Sequence, residues 1–218
     1  MKNAILSSLE SLPYFTIEGV KQLLGAEHVA DGTVRTALYR RMRAGNIIQI
    51  KKGVYMARQF FDLHRTDADF SPMISAILIP QSYLSLEYIL QRNAILSDIT
   101  YPITAITLKQ TRVFENKLGV FSYRNIKADL YQGYSFSEYM SIPIAFASAA
   151  KALFDFLYLR PLKNARRLVG YDLAEDLRLN LEDFSENDQK EFEAFVELSK
   201  SKKMERILKN LQERVWRR

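Results

Sequence analysis

The sequence has no cysteine, and its histidines and glycines are few. Because the 218-residue chain lacks cysteine, disulfides, thiolate zinc sites and cysteine nucleophiles are excluded. Its eight glycines are not clustered, so there is no glycine-rich phosphate-binding loop. His28 and His64 stand alone, and lone histidines are more often structural or exposed than metal ligands. We therefore expect neither a metal site nor a cofactor.

Long apolar runs and catalytic motifs are also missing. No stretch approaches the roughly 18 uncharged apolar residues of a transmembrane helix, and the N-terminus does not resemble a signal peptide. The absence of cysteine fits a cytoplasmic location. The motifs G-x-S-x-G and H-E-x-x-H do not occur, and the pair Asp67 and Asp69 lies in a predicted solvated connector. The sequence therefore favours a protein that is not an enzyme.

Positive charge is concentrated in the first quarter of the chain. Apolar residues make up 48% of the sequence, so a packed core is expected, and the net charge is +6. Residues 1–58 carry nine basic and four acidic side chains, whereas residues 59–218 carry 22 and 21. Residues 32–61 contain seven basic side chains and no acid. A surface block of one sign predicts a polyanionic partner.

Three helices are predicted at the N-terminus. The first covers residues 3–12 at helical apolar spacing and ends at a proline. Thr16 is a candidate N-cap for the second helix, which ends at a glycine. Asp31 or Thr33 can cap the third helix, which runs to Ala44.

The third predicted helix has two faces of different chemistry. The apolar arc, which would pack on the first two helices, consists of Val34, Ala37, Leu38 and Met42. The opposite arc, which could donate to phosphates and base edges, consists of Thr33, Thr36, Tyr39, Arg40 and Arg43, with Arg35 at its margin. Arg41 projects into the apolar arc, so we expect its stem to lie on the core, away from the bases.

A basic hairpin follows this helix directly. Residues 46–57 alternate as two strands around Lys51, Lys52 and Gly53. A basic helix followed by a basic hairpin is the layout of a winged helix-turn-helix, in which the helix enters the major groove and the wing lies along the backbone. We expect Lys51 and Lys52 to contact DNA backbone and Tyr55 to pack under the wing.

The remaining residues predict a second domain. Residues 59–70 mix charges with aromatics and indicate a connector, and residues 71–218 then form a mixed α/β domain. A helix is predicted from Pro72, and a further helix, capped by Ser82 or Ser85, is predicted to run to Leu90. Strands are predicted over 104–108, 120–126 and 137–145, with a turn at 116–119.

The end of the chain is predicted to be helical. A largely buried helix covers residues 146–159, in which Asp155 is the sole acid, favouring a partnered carboxylate over a site residue. Residues 160–167 are basic. The basic final segment 202–218 could bind nucleic acid or an acidic partner, but pairing with an acidic helix over 186–200 is favoured because it needs no ligand. The predicted fold class is α+β, with a winged helix-turn-helix, a small sheet and a helical C-terminal end.

Four stretches, taken in order, resemble one family. They are LYRRMRAGNIIQIKKGVYMA (38–57), ISAILIPQSYLSLEYIL (74–90), ITAITLKQTRVFE (103–115) and IPIAFASAAKALFDFLYL (142–159). In this order they resemble the AbiEi antitoxins of the AbiE abortive-infection systems, which are type IV toxin–antitoxin systems of phage defence. The chain departs from the family at Ala149 and Ala150, where the family often has proline and an acid.

The resemblance implies both a DNA partner and a protein antagonist. It implies that the chain binds double-stranded operator DNA at inverted repeats and represses its own operon. It also implies antagonism of a separate nucleotidyltransferase toxin, without a stable complex between the two proteins. The toxin, not this chain, would be the catalyst.

Alternatives remain open at this point. Winged helices also serve as protein-interaction modules, in which case the basic helix would bind an acidic protein. A transcriptional regulator unrelated to any toxin would show the same N-terminal pattern. A nucleic-acid enzyme guided by a winged helix would require two or three carboxylates that converge in a pocket of the second domain.

Overall fold

The strands of this α+β protein form two β-sheets. The computed structural model describes residues 9–23, 25, 29–97, 102–161, 172–182 and 184–216. Most of the predicted helix over 3–12, together with His28 and most of the basic segment 160–167, lies outside the described residues. Within them, no helix is long and apolar enough to cross a membrane.

The first sheet belongs to the N-terminal elements. Its three antiparallel strands lie in the order β1-β3-β2. Two helices come between the first and second strands. In chain order the elements are β1 (Phe15–Thr16), α1 (Ile17–Leu23), α2 (Asp31–Arg43), β2 (Ile47–Lys51) and β3 (Val54–Ala57).

The two predicted helix caps have different outcomes. Thr16 Oγ1 accepts a hydrogen bond from the backbone N–H of Gly19 at 3.1 Å, which confirms it as the cap of α1. The prediction that Asp31 or Thr33 caps α2 is wrong, because Ala30 occupies the N-cap position and no side chain caps the helix. Asp31 lies in the first turn instead, where an anion is stabilised by the helix dipole and where Lys21 of α1 pairs with it.

The second sheet has six strands in the order β6-β7-β5-β4-β9-β8. The pairs β5–β7 and β4–β9 are parallel, and the other neighbours are antiparallel. The strands are β4 (Ser82–Leu84), β5 (Ile103–Thr107), β6 (Arg112–Asn116), β7 (Gly119–Asn125), β8 (Tyr134–Tyr139) and β9 (Ile142–Ala147). The strands predicted over 104–108 and 120–126 are thus confirmed, as is the turn at 116–119.

Seven further helices accompany the second sheet in the described part of the chain. They are α3 (Arg58–His64), α4 (Phe70–Leu78), α5 (Glu87–Arg92), α6 (Ala149–Leu159), α7 (Leu173–Asp176), α8 (Glu186–Ser199) and α9 (Lys202–Arg214). Ser148 caps α6 by accepting from Lys151 N at 3.0 Å. The predicted pairing of the last two helices rests on packing and on a hydrogen bond from Gln212 Nε2 to Glu193 Oε1 at 2.8 Å.

One predicted strand and one predicted helix cap after residue 71 are wrong. The single strand predicted over 137–145 is a hairpin, because the chain reverses at Met140 and Ser141, which both have positive φ. Hairpin turns of this kind favour Asn and Gly, which are absent here, so the sequence gives no turn signal. Ser82 and Ser85 do not cap α5: Ser82 lies in β4, and Ser85 Oγ donates to a carboxylate elsewhere.

The predicted connector is part of the packed structure. Residues 59–70 are largely helical, and Phe60 and Phe70 are buried in the larger core. Asp67 accepts from the Tyr139 hydroxyl, and Asp69 Oδ1 lies 2.9 Å from Arg92 Nη1. Asp67 is exposed, as the sequence predicts, and Asp69 is half-buried. Their contacts link this segment to β8 through Tyr139 and to α5 through Arg92.

The β2–β3 hairpin contributes to two separate hydrophobic clusters. Ile47 and Tyr55 pack in a small cluster with the residues of α1 and α2, whereas Ile50 and Met56 belong to the large cluster around the six-stranded sheet. Because alternate side chains of a strand point to opposite faces, one hairpin can serve both cores. The N-terminal elements are thereby joined to the rest of the protein by shared apolar burial.

Two glycines with the same backbone conformation allow a matched stability test. Gly133 (φ +79°) and Gly53 (φ +80°) both occupy the left-handed region, but only Gly133 is crowded. A Cβ on Gly133 would overlap Cζ of Phe195 and lie 3.1 Å from Cγ and Cδ of Lys151, whereas one on Gly53 meets nothing within 4 Å. We expect Gly53→Ala to cost about 1 kcal/mol of unfolding free energy and Gly133→Ala about 2–4 kcal/mol.

Urea unfolding followed by the fluorescence of the single tryptophan, Trp216, measures both variants. Equal losses for the two glycines would mean that the pocket around Gly133 relaxes freely.

Candidate nucleic-acid interface

Helix α2 presents a polar face to solvent. All six predicted contact residues on the helix are exposed: Thr33, Arg35, Thr36, Tyr39, Arg40 and Arg43. Val34 and Leu38 lie on the opposite side and are buried against α1 and the first sheet. Ala37 differs from the prediction, because it is exposed and the buried stripe is narrower than the apolar arc. The structure therefore brings the predicted side chains together on one accessible surface.

The N-terminal end of this face carries a carboxylate. Asp31 Oδ2 lies 3.9 Å from Arg35 Nη2, and Asp31 also pairs with Lys21. The hydrogen bond and charge of Lys21 hold the pKa of Asp31 below its ordinary value. Asp31, which directly precedes the acid-free block, thus compensates positive charge at the N-terminal end of the face. The positive charge is least compensated toward Arg40 and Arg43.

The hydroxyl of Thr36 is already engaged within the helix. Its Oγ1 donates to the carbonyl oxygen of Gly32 at 2.9 Å. A hydroxyl that donates its proton to the helix backbone offers a ligand mainly its acceptor lone pairs. Tyr39 lies in the middle of the face and is 56% exposed.

The two lysines of the hairpin have different surroundings. Lys51 is half-buried, and its Nζ donates to the carbonyl oxygens of Ile77 and Leu78 at 2.7 and 3.0 Å. These carbonyls end α4, where a cation complements the helix dipole. Burial lowers the pKa of Lys51, and the nearby charge of Lys109 adds to this shift.

Lys51 therefore differs from the wing contact that the sequence predicts, because its ammonium group is directed at α4. Lys52 is exposed in the turn beside Gly53 and is the hairpin cation available to a partner. The side chain of Asn116 adds a second link at the same place by donating to Ile50 O at 2.9 Å.

The residues assigned to packing behave as expected. Tyr55 is buried and stacks on Phe15 with ring centroids 6.1 Å apart, and Arg41 is half-buried. Arg58, which the sequence places in the acid-free block, binds both carboxylate oxygens of Asp62 at 3.0 and 3.1 Å. Its charge is therefore compensated locally.

A second cluster of ionisable groups lies inside the six-stranded sheet domain. The ammonium group of Lys151 pairs with Asp155 Oδ1 one helical turn away, and neither side chain is accessible to solvent. The other carboxylate oxygen accepts from Tyr83 OH at 3.0 Å and Ser85 Oγ at 2.8 Å. This geometry confirms the prediction that Asp155 is a partnered buried carboxylate.

Aromatic rings close the space around Lys151. Its Nζ lies 5.1–5.4 Å from the ring centroids of Tyr83, Phe154 and Phe195, within the range of cation–π attraction. Burial lowers the pKa of Lys151 and raises that of Asp155, while their mutual pairing opposes both shifts. The ammonium group is thus enclosed and has no surface accessible to solvent.

Sequence reasoning missed Lys151 as the partner of Asp155. The signal was present, because a lysine and an acid at i and i+4 can pair on a helix. It was weak, since such pairs usually lie on exposed faces and this one lies on an apolar helix. Tyr83 and Ser85 are about 70 residues away in the sequence, and only the fold brings them to the carboxylate.

The described residues contain no group of three or more histidine, cysteine or acidic side chains that could hold a metal ion. Comparison with protein-family models gives no match for this chain, and no curated protein is similar to it either. The features that bear on function are therefore the geometry of the α2 face and hairpin and the resemblance of the four stretches.

The two hairpin lysines give a direct test of their separate roles. We expect Lys51→Met to lower the unfolding free energy by about 1–2 kcal/mol, because two carbonyls at the end of α4 lose a charged donor. Lys52→Met should change it by no more than about 0.5 kcal/mol, as for an unpartnered surface residue. Urea titration of both variants measures the difference, and equal stability would show that the Lys51 contacts contribute nothing.

The buried pair predicts non-additive substitutions. Lys151→Met leaves the Asp155 carboxylate buried without a counter-charge and should cost about 3–5 kcal/mol. Adding Asp155→Asn removes that charge while keeping an acceptor for Tyr83, so the double variant should be more stable than Lys151→Met. A double variant less stable than Lys151→Met, by urea unfolding or by yield of folded protein, would contradict the ion-pair assignment.

Proposed function

We propose that the N-terminal domain, residues 1–58, is a winged helix-turn-helix that binds double-stranded DNA. The observation that carries this proposal is the exposed Thr/Tyr/Arg face of α2, with Val34 and Leu38 buried behind it and an exposed cation, Lys52, in the hairpin that follows. The element order and the strand order β1-β3-β2 support it, because a winged helix places its wing strands beside the short strand that precedes the helices.

In this proposal α2 is the recognition helix. Arginine side chains bind guanine edges through two donors, and hydroxyl groups bind phosphates or bases. Arg40 and Arg43 would supply the base contacts, and Lys52 would contact the backbone. Arg35 would act close to the duplex backbone, where Asp31 lowers its contribution to non-specific attraction.

We further propose that the chain is a transcriptional repressor of its own operon and an antitoxin against a nucleotidyltransferase toxin. This part rests on the resemblance of four stretches to the AbiEi antitoxins. The chain itself is proposed to have no catalytic role in the pair.

Arginine substitutions on the two sides of α2 test the DNA proposal. Arg40→Ala should weaken binding to the operator by about 5- to 150-fold, equivalent to roughly 1–3 kcal/mol, and relax sequence discrimination. Arg41→Ala, one residue away on the packing side, should leave discrimination intact. Lys52→Met should weaken binding to operator and random duplex alike and reduce the salt dependence.

Fluorescence anisotropy with the chain's own promoter and a scrambled duplex, at several salt concentrations, measures these effects. Equal affinity for the two duplexes would refute sequence-specific repression. Binding of an acidic protein without any DNA binding would favour an interaction module.

The antitoxin proposal is best tested with a full-length variant. Removing residues 1–58 would also remove Ile50 and Met56 from the large core, so the shortened chain would be destabilised. Co-expression of the Arg40→Ala/Arg43→Ala variant with the neighbouring toxin gene avoids this problem. Growth rescue by the variant would place antitoxicity outside the DNA face, and failure of the wild-type chain to rescue growth would overturn the antitoxin proposal.

A further inference from the structure

A cleft lies between the end of α6 and the face of the six-stranded sheet. Its volume is about 610 Å³, which is within the roughly 300–1,000 Å³ typical of small-molecule sites. Strands β5 and β7 form its floor, the first turn of α5 forms one side, and the C-terminal end of α6 forms the other. It is remote in sequence from the α2 face.

Two arginines line this cleft from opposite elements. Arg124 projects from β7, and Arg160 follows the last turn of α6; both are exposed. The guanidinium carbon of Arg160 lies 5.1 Å from the ring centroid of Phe156, which holds the side chain against the cleft wall. Arginine binds phosphate through paired donors, so two arginines in one cleft favour a phosphorylated ligand.

The remaining lining fits a nucleoside. Pro102 and Leu159 are half-buried and give apolar surface against which a flat base can pack, with the buried Leu86 behind them. Glu87 is half-buried in the same cleft, and a carboxylate placed in this way accepts hydrogen bonds from ribose hydroxyls. Ser122 adds a hydroxyl donor on the floor.

The side of the cleft next to α5 has a strained backbone at Leu86. Leu86 has φ +59° and ψ −142°, a backbone region that a leucine rarely adopts. Thr104 fixes this bend, because its Oγ1 donates to Ser85 O at 2.7 Å and accepts from Tyr88 N at 3.0 Å. Strain maintained by dedicated hydrogen bonds is typical of binding sites whose shape must be preformed.

The strained bend is also anchored to the buried ion pair. Ser85, the residue before Leu86, donates its hydroxyl to Asp155 at 2.8 Å. Asp155 is in turn paired with Lys151. Leu86 is therefore held in position relative to α6, which supplies the opposite side of the cleft.

We propose that this cleft binds a ribonucleotide, with Arg124 and Arg160 on the phosphates, Glu87 on the ribose hydroxyls and the apolar wall against the base. The proposal concerns a site separate from the α2 face and does not depend on DNA binding there.

Calorimetric titration of the full-length chain with ATP tests the proposal. We expect a dissociation constant below about 1 mM. Arg124→Gln and Arg160→Gln should each weaken ATP binding about tenfold or more, because each removes a charged bidentate contact. Arg112→Gln is the matched control: Arg112 is an exposed arginine on the neighbouring strand β6, in register with the buried Tyr123 and so facing the other side of the sheet. It should leave ATP binding unchanged.

Two comparison ligands and one variant separate the contributions of the phosphates, the ribose and the base. Inorganic tripolyphosphate should bind more weakly than ATP, and so should the 2′,3′-dideoxy analogue. Glu87→Gln should reduce the preference for ATP over the dideoxy analogue. Equal binding of tripolyphosphate and ATP would overturn the assignment of a base site.

Absence of ATP binding at about 1 mM, or equal weakening by Arg112→Gln, would overturn the proposal as a whole. Displacement of ATP by a DNA duplex in the Arg40→Ala variant would also overturn it, in favour of a nucleic-acid backbone site. The Arg40→Ala substitution keeps this outcome distinct from DNA binding at α2.

Discussion

The buried pairing of Lys151 with Asp155 sets the strongest constraint on this structure. A buried charge is tolerated only when its partner and its remaining hydrogen-bonding positions are satisfied. The carboxylate meets this condition through Lys151, Tyr83 and Ser85, which joins α6 to the end of β4. The aromatic rings around the ammonium and the absence of a side chain at Gly133 complete the enclosure. The position of α6 on the sheet, and with it the shape of the cleft beyond Leu86, depends on this cluster.

The N-terminal elements depend on a different connection. The β2–β3 hairpin buries one face with α1 and α2 and the other in the large core, and Lys51 fastens the strand end to α4. The proposed wing is therefore anchored at its base, while its tip at Lys52 is free to meet a partner. Lys51 and the shared apolar burial thus connect the base of the hairpin to α4 and to the large core.

Much of the proposed interface could be predicted because it is local. The periodicity of α2 placed six side chains on one exposed face, since residues three and four apart share a side of a helix. Two local predictions failed: Ala37 of α2 is exposed, and Lys51 of the hairpin is directed at α4. The exposure of these residues depends on which elements lie nearby, and no local pattern contains that information. The β8–β9 hairpin was missed for a related reason, because Met140 and Ser141 adopt positive φ only where the paired strands require it.

By itself, the sequence determined the order of most helices and strands, the concentration of positive charge before residue 61, and the apolar character of α6. These follow from spacing and composition, which act over a few residues. The tertiary structure alone decided that Phe60 and Phe70 of the segment 59–70 pack into the large core, that Asp155 meets Tyr83 and Ser85, and that Arg124 faces the same cleft as Arg160. Each of these depends on contacts between distant segments. Such contacts form only when burial of apolar surface outweighs the entropy of ordering the chain between them.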